Sequence, residues 1–156
     1  MNVLILISTF FAMEAFTWLT HKYVMHGFLW FLHEDHHQPK ESFWEKNDFF
    51  FIIFSLPSMA LIISGSIADF DWRFFVGIGV TIYGLAYFLV HDILIHQRFS
   101  WFKKIDSVYF RALRKGHKVH HKNQNKEDGE CFGMLWVPVK YFKEAAEYKR
   151  RKTQTS

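Results

Sequence analysis

Cysteine is nearly absent: Cys131 is the only one in 156 residues. An internal disulfide is therefore impossible, and so is a cysteine-based zinc site. Charge is missing from three long stretches. Residues 3–20 are apolar apart from Glu14 and small hydroxyl side chains, residues 49–68 carry no charge, and neither do residues 74–90, whose apolar character runs on to Ile95 past His91 and Asp92. Each approaches the roughly 20 residues that carry a helix across a hydrocarbon core about 30 Å thick. A buried soluble helix is the alternative for any one stretch, but the remaining polar chain is too short to cover three. The first stretch has neither a basic leading region nor a small-x-small cleavage site, so it reads as a retained span and not a signal peptide. Repeats of 20–50 residues are also absent, so the length points to a single domain over residues 1–156.

These absences fix a topology. Only residues 69–73 separate the second and third stretches, which must form a helical hairpin. The first span then ends on the side where the second begins and the third ends. Of the 19 Lys and Arg residues, 15 follow the third stretch, three lie between the first and second, and one, Arg73, is in the short turn. The positive-inside rule places the chain beyond the third span in the cytoplasm. A net charge of +4 distributed in this way argues for a membrane surface and against a nucleic-acid partner.

Histidine is abundant. A chain of this length should carry about three at average usage; this one has ten, all in four boxes. His21 and His26 bracket HKYVMH, and His33, His36 and His37 lie in HEDHH. His91 and His96 bracket HDILIH, and His117, His120 and His121 lie in HKVHH. The topology gathers every box at one membrane face. Spacing separates two kinds of box. Histidines at i, i+3 and i+4 share one face of an α-helix. Histidines at i and i+5 point roughly 140° apart on an ideal α-helix, so H-x4-H converges only where the helix ends or distorts, as at a π-bulge or before Gly27.

Neutral imidazole is the commonest metal ligand among side chains. Ten suit two metals with about five nitrogens each, leaving about one open position on each octahedral ion. Structural zinc closes at four ligands. Imidazole alone does not distinguish iron, copper, nickel and zinc. Nine ligands and one supporting histidine would satisfy the same count. Asp35, Asp48, Asp92, Asp106 and Asp128 lie near the boxes and are candidates to orient them.

Three further segments stand out. Trp101, Phe102, Ile105, Val108, Tyr109, Ala112 and Leu113 form one apolar helical face within residues 100–115, flanked by Lys103, Lys104, Arg111, Arg114 and Lys115. Such a helix either lies on the membrane or packs on the histidine-rich domain. Residues 131–142 are apolar but too short to span, and dip into the interface or pack beside it. The basic run Lys149, Arg150, Arg151 and Lys152 suits an anionic leaflet, or is a solvated end.

Four histidine boxes at membrane-helix ends resemble the fatty acid hydroxylase superfamily of integral-membrane di-iron oxygenases. HKYVMHGFLWFLHEDHHQP with EKND shortly after, VHDILIHQRF, and HKVHH followed by KEDGECFG narrow the resemblance to its bacterial β-carotene hydroxylase family. These stretches run in order from Ala15 to Gly133. The resemblance implies an all-α integral membrane bundle of three to four transmembrane helices with a cytoplasmic histidine-rich cap, in a bacterial inner membrane. It implies two non-haem irons, replaceable by zinc on purification, held by His21, His26, His33, His36, His37, His91, His96, His117, His120 and His121. No catalytic residue beyond the metal centre is implied. The implied reaction is O2-dependent hydroxylation at C3 of the β-ionone rings of β-carotene, through β-cryptoxanthin to zeaxanthin, with electrons from ferredoxin or a similar donor. Trp18, Phe28, Trp30, Phe31, Phe49 and Phe88 either line a path for the carotenoid or anchor and pack the helices. A carotenoid ketolase, a desaturase, or a sterol or fatty acid hydroxylase would share the irons. A metal transporter fits poorly, because transport sites lie near the midplane.

Overall fold

The computed structural model describes residues 2–38, 43–99, 105–127 and 129–154. These residues are helical and contain no strand. Helix α1 (Asn2–Leu19) continues into a π-helical segment, Thr20–Phe28. Helix α2 (Trp30–His37) follows, and a single 3-10 turn, Lys46–Asp48, leads into α3 (Phe49–Ile67). Helix α4 (Trp72–Tyr87) continues as a second π-helical segment, Phe88–Ile95. Helices α5 (Val108–Lys122) and α6 (Val139–Gln154) complete the chain.

Three continuous helices are long and apolar enough to cross a membrane: Asn2–Phe28, Lys46–Ile67 and Trp72–Ile95. Their apolar side chains are mostly uncovered by protein, as at Leu4, Phe11, Phe51 and Ile67. A surface of that size and composition requires lipid, so this is a membrane protein. The turn between α3 and α4 reverses through Asp69 and Phe70, both with φ 58°, and Asp71 caps α4 by accepting from the Arg73 amide at 3.0 Å.

Without a hydrophobic drive between helices in lipid, close backbone approach and buried polar contacts hold the spans together. Helix α4 sits between α1 and α3. A Cβ on Gly65 would collide with the Phe74 amide nitrogen, and one on Gly79 would lie 3.0 Å from the Leu6 carbonyl oxygen. Only glycine permits these crossings. Ser58 adds a hydrogen bond to the Gly77 carbonyl at 2.8 Å.

Beyond the spans, α5 and α6 form a compact cap. Val90 and Leu94 from the second π-helical segment pack with Ala112 and Leu113 of α5, Met134 and Val137, and Tyr141 and Ala145 of α6. The amphipathic helix expected over residues 100–115 starts later. Ser107 caps it at 3.1 Å from the Phe110 amide, and it runs on through the fourth box to Lys122. Its Ala112, Leu113 and Gly116 face the cap core, which corresponds to the packed reading of that helix. Trp101, Phe102, Lys103 and Lys104 lie outside the described residues.

The apolar 131–142 segment divides. Residues 131–138 pack against α1, and α6 begins at Val139. The anchor is Glu14, whose Oε1 accepts from the amides of Met134, Leu135 and Trp136 at 2.9, 2.9 and 3.1 Å, while Oε2 accepts from the Tyr83 hydroxyl at 2.7 Å. The one carboxylate within the first span is thus fully satisfied, as an ionisable group at membrane depth must be. The basic run at 149–152 is an exposed continuation of α6.

Candidate metal centre

The two H-x4-H boxes occupy the two π-helical segments. The Leu29 amide bonds the Val24 carbonyl at 3.0 Å, and the His96 amide bonds the His91 carbonyl at 2.8 Å. Both bonds span five residues, which brings i and i+5 to the same side of the helix. After His26, Gly27 leaves helical geometry altogether (φ −108°, ψ −123°). The two H-x-x-H-H boxes lie on α2 and α5, one face each.

All ten histidines meet. They form two groups of five: His21, His26, His33, His37 and His120 in the first, and His36, His91, His96, His117 and His121 in the second. Within each group, one nitrogen from every ring lies within 4.8 Å of every other. Each α-helical triad serves both groups. His33 and His37 face the first and His36 the second; His120 faces the first, and His117 and His121 the second. Positions i and i+4 on α2, and i and i+4 on α5, stack one above the other, while the remaining histidine points to the other group.

Hydrogen bonding around the first group fixes the tautomers. His21 Nδ1 donates to the Phe132 carbonyl at 3.0 Å, His26 Nδ1 to Lys126 at 3.0 Å, His37 Nδ1 to Asn123 at 2.9 Å, and His120 Nδ1 to Glu130 at 2.9 Å. His33 Nδ1 pairs with Asn47 Oδ1 at 2.7 Å. A carbonyl only accepts, so the ring hydrogens sit on Nδ1 and the Nε2 lone pairs point inward. His26 Nε2 and His120 Nε2 then face each other at 3.3 Å, and His21 and His33 at 3.0 Å, with no hydrogen to share. In the second group His36 and His91 face at 3.1 Å and His96 and His117 at 2.8 Å. His121 Nε2 is buried with no hydrogen-bond partner among the described residues.

Converging lone pairs repel unless a cation lies between them. Adjacent ligands on an octahedral ion with metal–nitrogen bonds of about 2.1 Å are about 3.0 Å apart, and opposite ligands about 4.2 Å. The observed separations match that geometry, so the donor set fits one ion per group. Protons are a poor substitute. Burial pushes His37 down to about 4, and His96 and His120 to about 3. It also lowers His33, His36, His117 and His121, with neighbouring imidazoles adding to the effect. Burial thus favours the neutral form of these seven rings, the form that binds metal.

The supporting groups match the expected acids only in part. Asp92 contacts His91 Nδ1 at 3.3 Å. Asp35 instead accepts from the Lys46 amide, Asp106 pairs with Arg111, and Asp48 accepts from the Glu45 amide and Arg98. Asp128 lies outside the described residues. Glu45, at 2.6 Å from His36 Nδ1, and Asn47 were not singled out by sequence. Both belong to the EKND stretch, whose position after the second box was their only trace.

The fatty acid hydroxylase family matches residues 6–140, a span that contains every histidine. The chain belongs to the fatty acid hydroxylase family. It is 39% identical over 138 residues to a beta-carotene hydroxylase of Pseudescherichia vulneris, covering 87% of this chain and 77% of the relative. It is 39% identical over 137 residues to a beta-carotene hydroxylase of Pantoea ananas, covering 88% and 78%. A chloroplastic beta-carotene 3-hydroxylase of Gentiana lutea is 36% identical over 129 residues, covering 81% of this chain and 40% of the relative. No solved structure matches the chain. Membership in a family of hydroxylases makes the protein an oxidoreductase, and its paired histidine groups are metal-binding in character.

Proposed function

We propose that this protein is a β-carotene 3-hydroxylase that acts through two non-haem irons, one in each histidine group, with all ten histidines as ligands in a single domain of residues 1–156. The observation that carries the reading is the division of ten imidazoles into two five-nitrogen sets in a chain 39% identical to named beta-carotene hydroxylases. When bound, the irons supply the O2-dependent oxidising chemistry that an unactivated ring C–H bond requires. Zinc takes the same imidazoles and can displace iron during overexpression.

The chain's own part is to hold, orient and enclose. Five neutral nitrogens leave one position per octahedral ion for oxygen or substrate. The Phe132 ring packs against His21, His26 and His120, with centroids 5.4, 5.1 and 5.2 Å away, and Trp18 packs on its other side at 6.4 Å. Trp30 covers His26 and His37 at 5.0 and 5.4 Å. Together these rings wall the first group from water and offer an apolar surface to a ring arriving from the bilayer. Phe28, Phe31 and Phe49 are exposed and suit the lipid interface. Charge bias supports a cytoplasmic histidine face, in this reading at a bacterial inner membrane, where ferredoxin or a similar donor supplies two electrons per hydroxylation.

The test is expression in a bacterium that accumulates β-carotene, with pigments resolved by chromatography and mass. Zeaxanthin, preceded by β-cryptoxanthin, is the expected product. Canthaxanthin would make the protein a ketolase. Unchanged β-carotene in cells containing iron-loaded protein would contradict the substrate assignment.

A further inference from the structure

The two histidine groups rest on different supports. Among the described residues, the first is oriented by neutral oxygens, four backbone carbonyls and the Asn47 amide. The second uses carboxylates: Glu45 on His36 and Asp92 on His91. These two acids come from opposite ends of the site, one before α3 and one from the second π-helical segment.

Arg98 links the two elements through Asp48 and Asp92. Its Nη1 lies 2.8 Å from Asp48 Oδ1 and 2.8 Å from Asp92 Oδ1, and its Nη2 lies 2.9 Å from Asp48 Oδ2 and 2.6 Å from the Phe43 carbonyl. Asp48 in turn accepts from the Glu45 amide at 3.0 Å. One guanidinium therefore braces both routes to the facing pair of rings. The first runs through Asp48 and Glu45 to His36, the second through Asp92 to His91. The planar, five-donor fork of arginine fits this double engagement in a way an ammonium does not.

Backbone geometry brings the side chain there. The π-helix ends at His96, Gln97 adopts φ 54°, and the Arg98 amide then bonds the Asp92 carbonyl at 2.9 Å. A left-handed residue other than glycine or asparagine is costly and persists only where its surroundings enforce it. The reversal turns Arg98 back over the carboxylate six residues before it.

We propose that Arg98 is a positioning residue chiefly for the second metal. It locks Glu45 and Asp92 against His36 and His91, and it reaches the first group only through Asn47, the neighbour of Asp48 and one of the five oxygens behind that group. The proposal rests on the two-metal reading above.

Full-length protein, stripped and then titrated with cobalt(II) alone, tests it by metal content per chain, by the visible bands of bound cobalt, and by helical circular dichroism. Wild type should bind two ions tightly. Arg98→Gln should bind one nearly as tightly as wild type and the other about 10–100-fold more weakly, with the cobalt bands reduced and helicity retained. Arg98→Lys keeps the charge without the fork and should recover part of the second site. Two unchanged affinities in Arg98→Gln would overturn the proposal. So would parallel loss of both ions or of helicity in both variants, which would make Arg98 a support of the fold. A wild type that binds fewer than two ions would contradict the two-metal reading itself and the proposal with it.

Discussion

At the scale of single residues, the ten histidines are not interchangeable. His36 sits where the α2 triad crosses to the second group, with Glu45 at its back and His91 facing it at 3.1 Å. Truncating it removes a ligand and takes the imidazole away from the half-buried Glu45 carboxylate. His36→Ala should abolish pigment conversion by losing metal from the second group. Arg151→Ala, on the exposed end of α6 with a Glu147 contact in its own helix, should leave metal content unchanged. Metal analysis of the two purified variants checks both. The histidines themselves were legible because four boxes with two repeated spacings leave none over. Their partners were not, since four of the five oxygens behind the first group are main-chain carbonyls. A carbonyl has no residue-type signature, and only the folded path of residues 123–132 places it.

At the scale of elements, spacing decided where regular helix fails. H-x4-H required a helix end or a distortion, and both boxes lie in five-residue-bonded turns. The sequence could not say which device each box would use. Helix α5 shows the opposite limit. Its apolar periodicity began at Trp101, yet Ser107 starts the helix, because a capping hydroxyl outweighs periodicity upstream of it. Glu14 shows how a span governs the site. By holding the amides of residues 134–136, it fixes the strand of chain that presents the Phe132 carbonyl to His21 and the Glu130 carbonyl to His120. Hydrogen bonds to a charged group contribute about 1.5–3 kcal/mol each. Glu14→Leu should therefore lower thermal stability and loosen metal binding in the first group, whereas Glu14→Gln, which keeps an acceptor oxygen, should lose less. Cobalt titration beside a thermal melt separates the two variants.

At the scale of the whole molecule, three lipid-covered helices deliver four histidine boxes to one face. The α5–α6 cap then closes over them. The hairpin and the gathering of the boxes followed from the lengths of the uncharged stretches and the brevity of the 69–73 turn. The partition into two groups of five did not, because it depends on how α2 and α5 cross between the π-helical ends, and crossing angles leave no trace in spacing. That partition is the centre of the account. It is tested most directly by iron content per chain, together with X-ray absorption at the iron edge, on anaerobically reconstituted full-length protein. The account predicts two irons per chain in a nitrogen-dominated shell with bonds near about 2.1 Å. One iron per chain, or a shell dominated by carboxylate oxygen, would contradict it.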